Sequence, residues 1–178
     1  MKKILFRESI VTHLGKFTVF NSQKGVKYIS LSDDSKHYKK WLKRIMNDYI
    51  IQDATIESNA VKQLKEYSQG IRKKFDCSLD LDGTPFQLTI WETLSKIPYG
   101  TTKSYSWVAT KIGNPKSVRA VGLANRQNPI PIIIPCHRII GKNGNLTGFG
   151  GGLPLKKKLL EHESLNKNFK DMINRNSM

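Results

Sequence analysis

"NPIPIIIPCHRII", residues Asn128–Ile140, sets a cysteine and a histidine side by side after an apolar run that is broken by proline. The isoleucines of this run predict a short strand of the hydrophobic core. A proline has no backbone N–H, so the prolines exclude the middle of an ordinary sheet and predict a stiff, irregular segment. Such a segment could hold the Cys136 thiol and the His137 imidazole at one reactive position. The alternative is a buried cysteine that packs as a small apolar side chain.

A cysteine reacts as its thiolate, so Cys136 needs a base or a positive field near it. His137 is next in sequence, but neighbouring side chains of an extended segment point in opposite directions. A turn or a bridging water is therefore required for His137 to act on the thiol. An imidazole base also needs a carboxylate to fix its tautomer, and "LLEHES" offers Glu161 and Glu163. From spacing alone, a structural cysteine beside a core histidine remains the alternative.

The segments on either side of this stretch predict helices. Thr84 is expected as the N-cap, and Pro85 as the first residue, of a helix that ends before Pro98. Two shorter helices, "SYSWVATKIG" and "KSVRAVGLANRQN", are separated by a turn at Asn114 and Pro115, a pattern typical of a helix-turn-helix. Because such pairs also occur in proteins that bind no DNA, this pattern alone is weak evidence. "GGLPLKKKLLEHESL" predicts a last helix whose inward side chains are Leu155, Leu159 and Leu160.

The first part of the chain has the pattern of a small α+β domain. "KKILFRESIV", "GKFTVFNS" and "GVKYISLS" predict strands, "SKHYKKWLKRIMND" a basic amphipathic helix starting near Ser35, and "ESNAVKQLKEYSQGIRKKF" a second helix broken near Gly70. The predicted fold is therefore an α+β N-terminal domain over 1–78, followed over 79–165 by a mostly α C-terminal domain. That second domain would contain a winged-helix-like helix-turn-helix and an active-site cysteine loop. Residues 166–178 form a polar tail whose composition suits a disordered segment.

The composition points to a polyanionic partner. The 178 residues include 30 Lys and Arg against 14 Asp and Glu, which gives a formal net charge of +16. This charge favours nucleic acid first and an acidic membrane surface second, with simple solvation of a lysine-rich chain as the alternative. No apolar run is long enough to span a bilayer, and the N-terminus lacks the apolar stretch of a signal peptide. A cytoplasmic location is therefore expected.

The cysteines and histidines give no pattern of metal ligands. The two cysteines, Cys77 and Cys136, have dissimilar surroundings, and the four histidines form no set with ligand spacing, so no metal site is predicted. In a cytoplasmic protein both thiols are expected to stay reduced.

Four blocks of the chain resemble the O6-alkylguanine-DNA alkyltransferases, also called methylated-DNA–protein-cysteine methyltransferases. "PYGTTKSYSWVA", "RAVGLANRQNPIPIIIPCHRII", "GKNGNLTGFGGGL" and "KKKLLEHE" match that family's blocks in order and in spacing. The resemblance implies a suicide repair protein that flips O6-alkylguanine, and also O4-alkylthymine, out of the duplex and moves the alkyl group irreversibly to its own cysteine. No cofactor is implied, because the damaged base is itself the donor. The implied partner is double-stranded DNA with alkylated bases, bound in the minor groove by a monomer with little sequence specificity.

The resemblance also implies a role for each catalytic residue. Cys136 would accept the alkyl group, and His137 would be its base through a water molecule. Glu163 would orient and charge the imidazole, while Glu161 would lie on a solvated face. Tyr105 would donate its hydroxyl to the flipped base and crowd the flanking phosphate.

The implied contacts with DNA come from Arg119, Ala120, Gly122 and Asn128. Arg119 would fill the space left by the extruded base, with its planar guanidinium stacking and donating hydrogen bonds. Gly122 would let the helix backbone approach the DNA closely, and Asn128 would link this helix to the active-site segment. A surface phosphate contact is the simpler alternative for Arg119.

Five residues are implied to line the pocket for the flipped base: Pro131, Ile139, Phe149, Gly150 and Gly151. The backbone carbonyls of Cys136 and Ile139 would accept from the guanine amino group. Phe149 stands where the family commonly has Tyr, and Gly150 where it commonly has Ser. Phe149 can still stack on a base, and the Gly150 N–H can still donate to the guanine oxygen.

Two other functions fit parts of the pattern. A lesion-binding protein would recruit other repair factors without alkyl transfer, but alkyltransferase-like relatives of that kind carry Trp at the position of Cys136. A cysteine hydrolase would need an oxyanion-binding loop, and the sequence has no obvious one.

Overall fold

The computed structural model describes residues 2–32 and 36–176. The chain forms two compact units, Met1–Asp82 together with Pro129–Pro131, and Gly83–Asn128 together with Ile132–Met178. The division after Asp82 lies slightly beyond the boundary at residue 78 that the sequence suggests. The return of Pro129–Pro131 to the first unit is not foreseen in the sequence, since a strictly linear division was expected.

The first unit is built on a four-stranded sheet. Its strands are β1 Lys3–Thr12, β2 Gly15–Ser22, β3 Gly25–Ser30 and β4 Tyr49–Asp53, in the order β3-β2-β1-β4. The first three form an antiparallel meander, and β4 pairs in parallel with β1. The three predicted strands are confirmed, whereas β4 was missed because its strand-favouring residues, Tyr49–Ile51, form a short run directly after a predicted helix.

Two helices belong to this unit, α1 Lys36–Ile45 and α2 Asn59–Ser68. Trp41 of α1 stacks on Tyr28 of β3 with ring centroids 4.1 Å apart, inside a core cluster that also contains Leu5 and Phe20. The apolar half of α1 is therefore firmly held against the sheet. Helix α2 ends before Gly70, whose φ of 74° only glycine adopts without strain, as the sequence predicts.

The second unit is mostly helical. Its helices are α3 Pro85–Ser95, α4 Tyr105–Lys111, α5 Val118–Arg126 and α6 Leu153–Asn176, with short parallel strands β5 Lys103–Ser104 and β6 Ile139–Ile140. Thr84 caps α3 and exchanges hydrogen bonds with Gln87, which confirms the predicted start of this helix at Pro85. In α6, Leu159 is fully buried and Leu155 and Leu160 are half-buried, so the predicted inward face is correct.

The apolar run before the cysteine is not a strand. It contains only isolated bridge residues around a turn, and Ile132 adopts a φ of 74°, a left-handed conformation that a β-branched residue reaches at a cost of about 1–3 kcal/mol. Cys136–Arg138 then form one turn of 3-10 helix. The predicted strand is wrong because three prolines remove the N–H groups that a ladder needs.

The end of the chain also differs from the prediction. Helix α6 continues to Asn176, so residues 166–176 are helical, whereas a polar tail was expected over 166–178. Residues 177–178 lie outside the described part of the chain. The run is polar and rich in asparagine, but it contains no glycine or proline, so the preceding turns can propagate through it. Among the described residues, no helix has both the length and the apolar character needed to cross a membrane.

Candidate active site

The turn Cys136–Arg138 brings together adjacent residues that an extended segment would separate. The Cys136 N–H donates to the carbonyl of Ile134 at 2.8 Å, and the Arg138 N–H donates to the carbonyl of Pro135 at 3.0 Å. Cys136, His137 and Arg138 are all buried. The backbone therefore supplies the turn that Cys136 and His137 were expected to require.

Burial is the largest influence on the pKa of the Cys136 thiol. Desolvation raises the pKa of Cys136 to about 11, although a hydrogen bond with the Asn128 side chain and the positive charge of Lys156 act in the opposite direction. The Asn128 amide also donates to the carbonyl of Ile134 at 2.8 Å, which ties the end of α5 to the active-site segment. At neutral pH the thiol is therefore protonated until a base removes its proton.

His137 has the geometry of such a base. Its Nε2 lies 2.8 Å from Oε1 of Glu163, and both side chains are fully buried. A carboxylate only accepts, so Nε2 carries the proton and Nδ1 carries the lone pair. Nδ1 has no hydrogen-bond partner among the described residues. Burial lowers the pKa of His137, with the Arg138 and Lys156 charges adding to this and Glu163 opposing it, so the imidazole is neutral.

The Glu163 carboxylate binds Arg138 as well as His137, and Arg138 is a residue that the sequence analysis missed. The Arg138 guanidinium donates through Nε to Oε2 at 2.9 Å and through its terminal nitrogen to Oε1 at 2.9 Å, and the Gly100 N–H donates to Oε2 at 2.9 Å. Burial raises the pKa of Glu163, but the bonds from His137 and Arg138 outweigh burial and hold it well below its usual range. Because His137 is neutral, Arg138 supplies the balancing positive charge. Glu163 therefore has a second task beside the implied one of charging the imidazole, because it also neutralises Arg138.

Lys156 is a second residue that the sequence analysis missed. It is completely buried on α6, and its ammonium group donates to the carbonyls of Ile139 at 2.5 Å and Thr147 at 2.7 Å. Burial lowers the pKa of Lys156 to about 8, and a charge on Cys136 would raise it. Lys156 therefore joins the cysteine turn to the following loop and places a cation near the thiol.

Sequence signals for both missed residues exist. Lys156 precedes Glu163 by two helical turns, so the two share the inward face of α6 with Leu159. Arg138 lies directly after His137 between apolar residues, where a buried guanidinium requires a carboxylate. The only carboxylate already assigned to this site was Glu163.

Tyr105 begins α4 and faces the glycine-rich loop. Its hydroxyl donates to the carbonyl of Thr147 at 3.1 Å, and a Cβ built on Gly122 of α5 would lie 3.8 Å from its ring. Burial raises the pKa of Tyr105, the bond to Thr147 lowers it, and a charge on Cys136 raises it, so the phenol keeps its proton as a donor. The Phe149 ring packs edge-on against the His137 ring, with centroids 6.5 Å apart.

The remaining predicted site residues fall into two groups. Arg119 and Ala120 are exposed on α5, and within the described chain Arg119 has no hydrogen bond or ion pair. Pro131 and Ile139 are buried, and Pro131 belongs to the first unit. Gly150 is exposed with no atom within 4 Å of a built Cβ, and Gly151 is half-buried.

The two carbonyls that were expected to accept from guanine already have protein donors. The Asn125 side chain, at 3.4 Å, and the Ile139 N–H both donate to the carbonyl of Cys136, and Lys156 donates to that of Ile139. Both lone pairs of the Cys136 carbonyl are therefore engaged, so a guanine amino group would have to replace one of these donors. Among the described residues, no group of three His, Cys, Asp or Glu is arranged to hold a metal ion.

The chain is similar in sequence and in structure to methylated-DNA–protein-cysteine methyltransferases. The family model for the DNA binding domain of 6-O-methylguanine DNA methyltransferase matches residues 85–165. A methylated-DNA–protein-cysteine methyltransferase of Methanosarcina acetivorans is 41% identical over 150 residues, which are 84% of this chain and 92% of that protein. The constitutive methylated-DNA–protein-cysteine methyltransferase of Bacillus subtilis is 40% identical over 140 residues, which are 79% and 83% of the two chains.

A solved structure of a similar protein matches this chain over most of its length. The crystal structure of Mycobacterium tuberculosis OGT in complex with DNA superposes with a TM-score of 0.80 and 38% sequence identity, covering 90% of this chain and 94% of that one. The overlap therefore includes both units of the chain and is not confined to the blocks around the cysteine.

Proposed function

This chain belongs to the methylated-DNA–protein-cysteine methyltransferase family, and from that premise we propose that Cys136 is the cysteine that takes the methyl group from O6-methylguanine. The observation that carries this proposal is the buried turn in which Cys136 precedes His137, whose Nε2 is fixed by Glu163. The other cysteine, Cys77, is half-buried in the first unit beside Asp76, and burial together with that charge raises the pKa of its thiol.

The transfer begins when His137 Nδ1 takes the thiol proton through a bridging water. The thiolate then attacks the methyl carbon, so that a sulfur–carbon bond forms as the bond from that carbon to the guanine oxygen breaks. The electron pair of the broken bond stays on guanine, which needs hydrogen-bond donors around it. The product is a thioether without a good leaving group, so each protein molecule reacts once.

Two groups of this chain suit stabilisation of the departing guanine. The Tyr105 phenol keeps its proton and would donate it to the base in place of the Thr147 carbonyl, and the N–H of the exposed residue Gly150 can donate to the guanine oxygen. Phe149, packed edge-on against His137, offers an apolar face on which the flipped base would stack. The same donors serve O4-alkylthymine, which presents an alkylated oxygen in a similar ring position.

Helices α4 and α5 supply the contact with duplex DNA in this proposal. They would act as a helix-turn-helix in which α5 enters the minor groove, where sequence readout is weak. Arg119 is exposed on α5 and would replace the extruded base in the stack. We expect a monomer that acts in the cytoplasm on DNA with alkylated bases.

Stoichiometric transfer from labelled O6-methylguanine duplex tests the assignment. Cys136→Ser should abolish transfer while DNA binding persists, since a serine hydroxyl is far less ionised than a thiol. Cys77→Ser should transfer one methyl group per molecule, like the parent protein. Transfer by Cys136→Ser, or its loss in Cys77→Ser alone, would overturn the proposal. Binding without any transfer by the parent protein would instead support the lesion-binding alternative.

A further inference from the structure

Helix α1 has two faces of opposite character. Its apolar side chains, Tyr38, Trp41, Leu42 and Ile45, all lie on one side and pack on the sheet of the first unit. The basic face of α1, as we call the other side, consists of Lys39, Lys40, Lys43 and Arg44. At 100° per residue the centres of the two groups lie on opposite sides of the helix axis. The separation of the two groups is complete, so the basic face is continuous along the helix.

Most of the basic face carries charge that has no counter-ion in the described part of the chain. Lys40, Lys43 and Arg44 are exposed and have no hydrogen bond or ion pair within the described residues. No acidic residue occurs between Lys36 and Ile45, and Asp48 follows only after the helix has ended. Asp33 and Asp34 precede the helix in sequence and lie outside the described residues.

This arrangement opposes the stability of the helix itself. Lys40 has Lys43 three residues away and Arg44 four residues away, and Lys39 has Lys43 four residues away. Like charges at these spacings destabilise a helix by about 0.2–0.5 kcal/mol per pair. If the charges of α1 served only to keep the protein in solution, acidic residues could alternate with the basic ones. A row of basic residues without acidic neighbours is better explained by an anionic partner.

The apolar face cannot serve that partner, because the core already covers it. Trp41 and Ile45 are buried, and the Trp41 ring is stacked on Tyr28. An amphipathic helix that binds a membrane inserts its apolar face, whereas α1 can offer only charge. A row of fixed cations matches the regularly spaced phosphates of a nucleic acid backbone.

We infer that the basic face of α1 is a second DNA-binding surface, which contacts backbone phosphates independently of α5. The inference rests on the proposed function only in taking duplex DNA as the partner. The contact would add affinity without sequence preference, and it would leave the chemistry at Cys136 unchanged. It would also give the first unit a part in DNA binding.

A triple variant, Lys40→Gln with Lys43→Gln and Arg44→Gln, tests the inference in the full chain. Its affinity for an unmodified DNA duplex is measured over a series of salt concentrations, together with its melting temperature. The slope of log affinity against log salt should become less negative by about 2–3, since each lost phosphate contact contributes about 0.9. The melting temperature should stay the same or rise, because like-charge pairs have been removed.

The matched control removes the same charge from dispersed positions of the first unit. Lys24, Lys62 and Lys74 are exposed, and Lys24→Gln, Lys62→Gln and Lys74→Gln together should change the slope much less than the α1 variant. Lys40→Arg with Lys43→Arg keeps the charge and should keep the affinity. Equal slopes for the α1 variant and the dispersed control would overturn the inference, as would weakened binding to anionic phosphatidylserine vesicles with DNA affinity unchanged.

A small substrate separates this inference from the proposed function. The α1 variant should react with free O6-benzylguanine at the parent rate, because that base needs no DNA contact. If the parent protein is alkylated at Cys136 but the α1 variant binds DNA as the parent does, only the inference fails. If the parent protein is not alkylated at Cys136, the proposed function fails whatever the salt slope shows.

Discussion

His137 Nε2 lies 2.8 Å from Glu163 Oε1, in a site where neither side chain reaches solvent. This contact fixes the proton on Nε2 and leaves the Nδ1 lone pair available to accept a proton. The same carboxylate neutralises the buried Arg138 guanidinium. In the proposed mechanism Glu163 would therefore support both His137 as the base and the stability of the second unit.

Replacement of Glu163 should consequently cost stability as well as rate. Glu163→Gln leaves Arg138 buried without a counter-ion, and we expect the free energy of unfolding to fall by about 3–5 kcal/mol in urea titrations. Glu163→Gln combined with Arg138→Met should be less harmful than the sum of the two single changes, since it leaves no unpaired charge. Additive losses in this double-mutant cycle would show that the ion pair is not the source of the effect.

A cleaner test of the base is His137→Phe, because Arg138 continues to neutralise Glu163 in that variant. Burial raises the pKa of Cys136 to about 11, so without a base the thiolate fraction at neutral pH is small. The single-turnover rate should be far below that of the parent at neutral pH and should rise about tenfold per pH unit as the pH approaches the pKa of the thiol. Superimposable pH profiles for the variant and the parent would mean that His137 does not activate the thiol.

Arg119→Ala should affect duplex repair more than reaction with the free base. Arg119 is exposed on α5 and has no hydrogen bond or ion pair with the described residues, so its loss should leave folding unchanged. The rate with O6-methylguanine in a duplex should fall, while the rate with free O6-benzylguanine should hold, because a free base needs no flipping. Arg119→Lys serves as the control that keeps the charge without the planar group. Equal losses on both substrates would place Arg119 in folding or in the chemistry.

Gly122 offers a test of how closely α5 approaches the DNA. Among the described residues, a Cβ at this position would meet the Tyr105 ring alone, at 3.8 Å, which is ordinary van der Waals contact. Gly122→Ala should therefore keep or raise the melting temperature, since alanine favours a helix by about 1 kcal/mol over glycine. Its affinity for duplex DNA should nevertheless fall if the backbone lies against the DNA. Unchanged affinity for duplex DNA would mean that a close approach of the α5 backbone to the DNA is not the reason for glycine at position 122.

The sequence predicted the parts of this molecule that depend on local chemistry. Thr84 and Pro85 mark the start of α3 because a capping oxygen and a fixed φ act within one turn. Cys136, His137 and Glu163 were selected by the reaction that their side chains could perform and by resemblance to a family. The structure places these three together, although their roles remain predictions until they are measured.

Features that depend on the tertiary environment were not predictable. The left-handed φ of Ile132 contradicts the preference of a β-branched residue, and only the packing around it can impose that conformation. Lys156 and Arg138 are charged side chains with few local signs of burial, and each is buried because a distant acceptor satisfies it. Residue type alone favours the solvent for both, and their sequence positions become informative only once Glu163 is assigned to the site.

Mass spectrometry of the protein after incubation with O6-methylguanine duplex is the most direct test of the central claim. Peptide mapping should find one methyl group per molecule, on Cys136, with Cys77 unmodified and no further transfer when fresh substrate is added. A methyl group on Cys77 or on another residue, repeated turnover, or an unmodified protein after the lesion has been lost would contradict the account.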